Sequence, residues 1–205
     1  MKNENTQMAL RDVNGPLEDF FKKLLSEEGG QWLSAFKKFL RKENPWEAVV
    51  SALLDFIGTV KILSTGKFIV GDNFTIDSKK VKIAWIQDNF RNNFSSKVEE
   101  AQAETTLNIS KLKKNSLDAL IITELGSATE TTLANIWELL KKQPKGESGK
   151  LLTNSYANIF YVRDVKGVLW AVHVLWDGGG WGVFASSVAV SVEWGEGRRV
   201  FSRNS

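Results

Sequence analysis

The chain has 205 residues, of which 42% are hydrophobic and 25% charged, with a net charge of +3, a pI near 9.0 and no cysteine. That length holds one large domain, or one domain beside a small accessory one. The absence of cysteine excludes disulfides and thiolate metal sites, and a single histidine leaves no ordinary zinc ligand set.

Lysine and glutamate are mixed along the chain with no long block of like charge, which argues against a nucleic-acid footprint. The opening MKNENTQMALRDVNGP lacks the apolar core of a secretory signal, and no apolar run approaches the ~20 residues of a membrane-spanning helix. The expectation is a cytoplasmic protein without a membrane span.

Residues 1–13 are polar and expected to fray, and residues 14–58 read as a helical segment. Asn14-Gly15-Pro16 suits a helix start, and Leu17, Phe20, Phe21, Leu24 and Leu25 recur on one face until Gly29-Gly30 ends it. A second helix carries Trp32, Phe36, Phe39 and Leu40 opposite a basic set of Lys37, Lys38, Arg41 and Lys42. Asn44 and Pro45 open a third, with Trp46, Val49, Val50, Leu53, Leu54 and Ile57, which Gly58 closes. Such helices pack on one another or dock a partner, so an oligomer formed through them is one expectation.

The remainder, residues 59–205, reads as one domain. Val60–Leu63 and Lys67–Val70 are expected strands around Ser64-Thr65-Gly66, and 78–94 reads as a helix capped by Ser78. Thr105–Leu112 alternates as a strand should. Ser116 is the expected cap of a helix ended by Gly126, and Thr129 of another running to Lys142 with Leu133, Ile136, Trp137 and Leu140 inward. QPKGESGK, residues 143–150, is a loop.

The tail from Tyr156 carries four of the eight tryptophans, Trp170, Trp176, Trp181 and Trp194. Tyr156–Arg163 and Val168–Trp176 read as strands joined by the hairpin loop Asp164–Gly167. DGGG at 177–180 is a turn, Trp181–Val188 a strand, Ala189–Gly197 an excursion, and Arg198–Arg203 a last strand. The fold class is therefore α+β: two helices packed together on the side of one curved antiparallel sheet.

The blocks YANIFYVRDVKGVLWAV and WGVFASSV…EWGEGRRVFSRNS are similar to the C-terminal module of proteins from bacterial candidate phyla. That module resembles the variable region of proteins diversified by retroelements, whose usual scaffold is a C-type-lectin-like fold. The resemblance covers residues 150–205 and implies a variable region at 168–205. In that family template adenines are mutated on copying, so diversified asparagine codons come to end in C and cannot encode Trp, Glu, Lys, Gln or Met.

By that rule His173, Leu175, Asp177, Gly179, Gly182, Phe184, Ser186, Gly195 and Arg198 are encodable and form the implied ligand-binding surface. Trp170, Trp176, Trp181, Glu193, Trp194 and the VFSRN segment with Phe201 are the implied frame. Val183, Ala185 and Ser187 interleave with the candidates and are expected to face inward. Ala189–Val192 departs from the family by being more apolar than its polar loop.

Catalysis finds little to build on. Asp164 and Asp177 fall in turns, where Asp serves the backbone. Glu193 and Glu196 have no evident acid–base partner, and the serines have no triad beyond the one histidine. The expected function is a non-enzymatic display protein with no cofactor and no metal, recognising a protein and, as a second ligand class, a glycan. The alternative is a nucleic-acid-associated helix-turn-helix with a β-wing, using the helices of 116–142.

Overall fold

A computed structural model describes residues 10–41, 52–76, 78–190 and 193–204. The chain divides into two compact units, residues 1–51 and 52–205.

In the first unit, α1 (Leu10–Leu24) and α2 (Gly29–Leu40) form a hairpin in which the Phe20 and Phe36 rings lie 4.7 Å apart and Lys23 sits over Trp32. The helix starts upstream of the expected Asn14-Gly15-Pro16 and runs through Pro16, which forgoes one bond to the preceding turn. Gly29-Gly30 opens α2 instead of ending α1. A Cβ on Gly29 would lie 2.0 Å from the Leu24 carbonyl oxygen, so the tight corner admits only glycine. Most of the expected third helix, residues 42–51, lies outside the described residues. Its last part is a strand.

That strand, β1 (Leu54–Ile62), opens the second unit. The helical reading fails at 54–58 because Leu54 and Phe56 pair with Leu112 and Ser110 across a ladder, and Gly58, at φ 141°, makes a bulge and not a helix end. β2 (Phe68–Ile69) and the single-turn α3 (Val70–Asn73) follow. Residues 78–94 form β3 (Ile83–Ile86) and α4 (Asp88–Phe94), not one helix from Ser78. Ile83 and Ile86 bury in the core while Trp85 points out, and Phe90 and Phe94 give α4 its buried side. β4 (Val98–Glu99) pairs with β2, and β5 spans the expected Thr105–Leu112.

β6 (Ser116–Leu117) leads into α5 (Asp118–Leu125), so Ser116 is in a strand and is not the cap. Gly126 ends α5 at φ 55°, as its position predicts. A short turn leads to α6 (Leu133–Lys142), whose cap is Thr132, not Thr129. Thr132 and Asn135 form a reciprocal capping box, whereas the Thr129 hydroxyl donates to the Gly126 carbonyl. The buried Glu99 carboxylate accepts the Leu133 and Ala134 N–H groups at 3.0 and 2.9 Å, placing a negative charge on the helix start.

The tail supplies β7 (Asn158–Arg163), β8 (Leu169–Trp176), β9 (Trp181–Ser187), β10 (Glu193–Trp194) and β11 (Arg199–Arg203). Seven strands make one sheet in the order β1-β5-β11-β7-β8-β9-β3, antiparallel except at β11/β7 and β9/β3. The last strand is inserted between β5 and β7. The architecture is α+β with a large, mainly antiparallel sheet.

Alternation along the strands splits the core in two. On one face Leu107, Ile109, Phe160, Val172, Val174, Trp181, Val183 and Phe201 meet Leu133, Ile136, Trp137 and Leu140 of α6, with Phe90 and Phe94. On the other, Leu112, Ile159, Tyr161, Ala171 and Val200 meet Ile121 of α5 and Trp194. The two helices therefore do not pack together on one side of the sheet. Each carries one apolar face, and each serves a different side. The link between them passes beside β7, where the Thr131 N–H donates to the Tyr161 carbonyl at 2.8 Å.

Candidate functional site

The surface is set by the β8/β9 ladder. His173 lies opposite Phe184, Leu175 opposite Gly182, and Ala171 opposite Ser186, so these residues share the second face. Val183 and Ala185 are fully buried on the first, and Ser187, partly buried, lies on their side opposite Trp170. The inward and outward sets alternate as the sequence predicts.

The frame residues are held from the first face. Trp181 is wholly buried and its Nε1 donates to the Gln143 carbonyl at 2.8 Å. Trp176 packs edge-on to it at 5.6 Å, against Gly146, where a Cβ would strike the indole at 2.2 Å. Trp170 donates to Asp164 Oδ2 at 3.0 Å, and Phe201 stacks on Phe160 at 4.5 Å. Trp194 differs. It comes from the excursion and covers the second face, where its edge meets His173 at 4.9 Å.

Trp194 is fastened by Asp118 at the start of α5. Asp118 Oδ1 accepts from Trp194 Nε1 at 2.7 Å and from the Tyr161 hydroxyl at 2.8 Å, while Oδ2 is buried without a partner. Burial raises the Asp118 carboxyl above the usual range, opposed by those two bonds; burial beside Asp118 raises the Tyr161 phenol.

His173 stacks on Phe184 with ring centroids 5.0 Å apart, and its Nδ1 is buried with no partner. Burial lowers it to about 4 against the opposing effect of the Ala171 backbone, with a smaller lowering from the nearby Arg198 guanidinium, so it is neutral at pH 7. Arg198 lies over the Tyr156 ring at 5.7 Å.

The other predicted positions divide by role. Leu175, Phe184 and Ser186 are partly exposed on the second face. Gly182 is buried beneath the Phe184 ring, so it offers room and not surface. Asp177 is bound to its own turn, its Oδ1 accepting from the Gly179 and Gly180 N–H groups. Asp164 likewise accepts from the Lys166 and Val168 N–H groups. Both carboxylates are spent on turns. Among the described residues no three His, Asp or Glu side chains gather as a metal set, and no helix is long and apolar enough to cross a membrane.

One surface residue escapes the sequence reading. Trp85 on β3 pairs in register with Gly182 and is 57% exposed, on the side of the sheet that carries Phe184. Its signal was the tetrad Ile83-Ala84-Trp85-Ile86, whose two isoleucines are buried around an exposed indole. Helical spacing through 78–94 masked it.

The helix-turn-helix reading loses its geometric basis. Its two helices stand on opposite faces of the sheet, and Leu133–Trp137, Leu139 and Leu140 of the second are buried, leaving no free recognition face. Comparison of the chain with protein-family models, curated proteins and solved structures finds no match.

Proposed function

We propose that the chain is a ligand-binding display protein of the retroelement-diversified kind. The second face of β8 and β9 is its recognition surface, and a protein is its partner. His173, Leu175, Phe184 and Ser186 form the centre, Trp85 flanks them on β3, and Arg198 lies toward β11.

One observation carries the reading. Three of the candidate positions are glycines, and a Cβ at each meets another candidate and not the frame. At Gly182 the nearest atoms are all of Phe184, at Gly195 all of Arg198, and at Gly179 the single contact is Asp177 Oδ1. Glycines outside the set meet no candidate: Gly146 meets the Trp176 indole, Gly180 the Ala84 Cβ and the Lys82 carbonyl, and Gly71 the Ser95 carbonyl, while several others meet nothing. A surface whose members constrain one another, and leave their support alone, can be exchanged as a group.

The chain order also supports a C-type-lectin-like scaffold. Apart from the two-residue strands β6 and β10, which pair with each other, a strand, two helices and a three-strand meander are followed by a last strand that returns beside β5.

The test is a pooled library of the full chain with the nine candidate positions randomised, sorted for folding by protease resistance and for binding against a panel of protein and glycan ligands. The reading expects a large folded fraction and binders specific to single proteins. Wholesale unfolding on exchange would sink it.

A further inference from the structure

Among the described residues no hydrogen-bond acceptor or carboxylate pairs with the Arg198 guanidinium. Arg91 and Arg163 reach the carboxylates of Asp88 and Glu130, Arg199 reaches the carbonyls of Gly149 and Lys150, and Arg203 that of Ser127. Arg198 finds no acceptor among the described residues, and its Nε is buried without a partner. The side chain is nevertheless positioned. It lies over Tyr156, and Gly195 leaves the space it fills, since a Cβ there would sit 2.1 Å from Nη1. His173, a second polar group on this face with an orphaned nitrogen, stands close enough to feel the Arg198 charge.

We propose that Arg198 is the point at which this surface takes a carboxylate, and that its ligand is a protein segment with an exposed Asp or Glu side chain. The inference rests on the display reading and gives its partner a chemistry. A planar guanidinium braced on an aromatic ring presents paired donors that match a carboxylate. Within the candidate set Arg198 is the one side chain with a formal positive charge, and the one carboxylate, Asp177, sits in the 177–180 turn with its Oδ1 accepting from the Gly179 and Gly180 N–H groups. Leu175, Phe184 and Trp85 provide an apolar flank for residues beside the acidic one.

The single histidine makes the test direct, because imidazole-labelled full-length chain gives one ring signal, from His173. The probes are a capped hexaglutamate peptide, its hexaglutamine counterpart and inorganic phosphate. Hexaglutamate is expected to shift the His173 resonances saturably, and about 0.5 M NaCl to abolish the shift; hexaglutamine is expected to do nothing. Arg198→Gln should remove the response, and Arg198→Lys should keep it at roughly tenfold weaker affinity. An absent response in the wild type, an unchanged response in Arg198→Gln, or an equal response to phosphate would overturn the assignment. If Arg198→Gln does not fold, salt dependence and the Arg198→Lys affinity decide. The titration uses the unexchanged chain, so its failure is separate from unfolding of the randomised library.

Discussion

The pair Gly182 and Phe184 offers the sharpest test of a self-contained surface. Alanine at 182 puts a methyl 2.6 Å from Phe184 Cε2 and 3.0 Å from Cζ. Carbon atoms pack at about 3.5–4.0 Å, so the ring must retreat by roughly 1 Å from its stack on His173. Overpacking costs about 1–3 kcal/mol, and a ring near solvent belongs at the low end, about 1–1.5 kcal/mol. Phe184→Ala alone removes a partly buried ring and should cost about 1–2 kcal/mol. With the ring gone, Gly182→Ala should be neutral or stabilising by up to ~0.5 kcal/mol, through a less flexible unfolded chain. The cycle therefore predicts a coupling of about 1.5 kcal/mol, measurable by urea unfolding followed through tryptophan fluorescence. Gly180→Ala is the control. Its methyl would meet Ala84 Cβ at 2.8 Å and the Lys82 carbonyl oxygen at 2.9 Å, so its cost should be the same with or without the Phe184 ring. A Gly182→Ala cost that does not depend on Phe184 would show that the frame constrains the site, and the reasoning would fail.

Other expectations follow from the same contacts. Asp118→Ala leaves the buried Trp194 and Tyr161 donors unmatched and should cost on the order of 3 kcal/mol in chemical denaturation, while Tyr161→Phe should cost about 1 kcal/mol. Glu99→Ala removes the acceptor of two N–H groups at the start of α6 and should cost about 2 kcal/mol by the same measurement, with less loss for Glu99→Gln. His173 titrates at about 4 when folded against 6.5 in the unfolded chain, so the unfolded state takes up the extra proton between those values. Stability should thus fall as pH drops from 6.5 towards 4, by up to about 1.4 kcal/mol per pH unit. His173→Gln should remove that component from the pH profile of unfolding, and a profile identical to the wild type would contradict the partly buried, neutral ring.

Much of the sheet was legible because its strands alternate cleanly. Thr105–Leu112 and the β7–β8 hairpin stand where the pattern puts them, with Gly167 at φ 80° in the loop. Short apolar runs were not legible, since Leu53, Leu54 and Ile57 satisfy helical spacing and a bulged strand equally well. The same ambiguity hid β3, and with it Trp85. Periodicity also reports that a helix has an apolar side but not which sheet face receives it, so α5 and α6 were wrongly placed together. At the site, alternation gave the outward and inward sets of β9. It had no access to burial of Gly182 under Phe184 or to the route of Trp194 over His173, since both depend on how far a side chain reaches across its neighbours.

The position of β11 has a consequence for biosynthesis. Arg199–Arg203 divides β1-β5 from the β7-β8-β9-β3 half, so the backbone ladder between the halves cannot close until those residues have left the ribosome. Pairings this distant in sequence close late and slowly. A stop codon or frameshift upstream of Arg199 deletes the strand that hydrogen-bonds to both β5 and β7 and leaves no backbone ladder between the two parts of the sheet. A point change on the β8–β9 face leaves that strand in place.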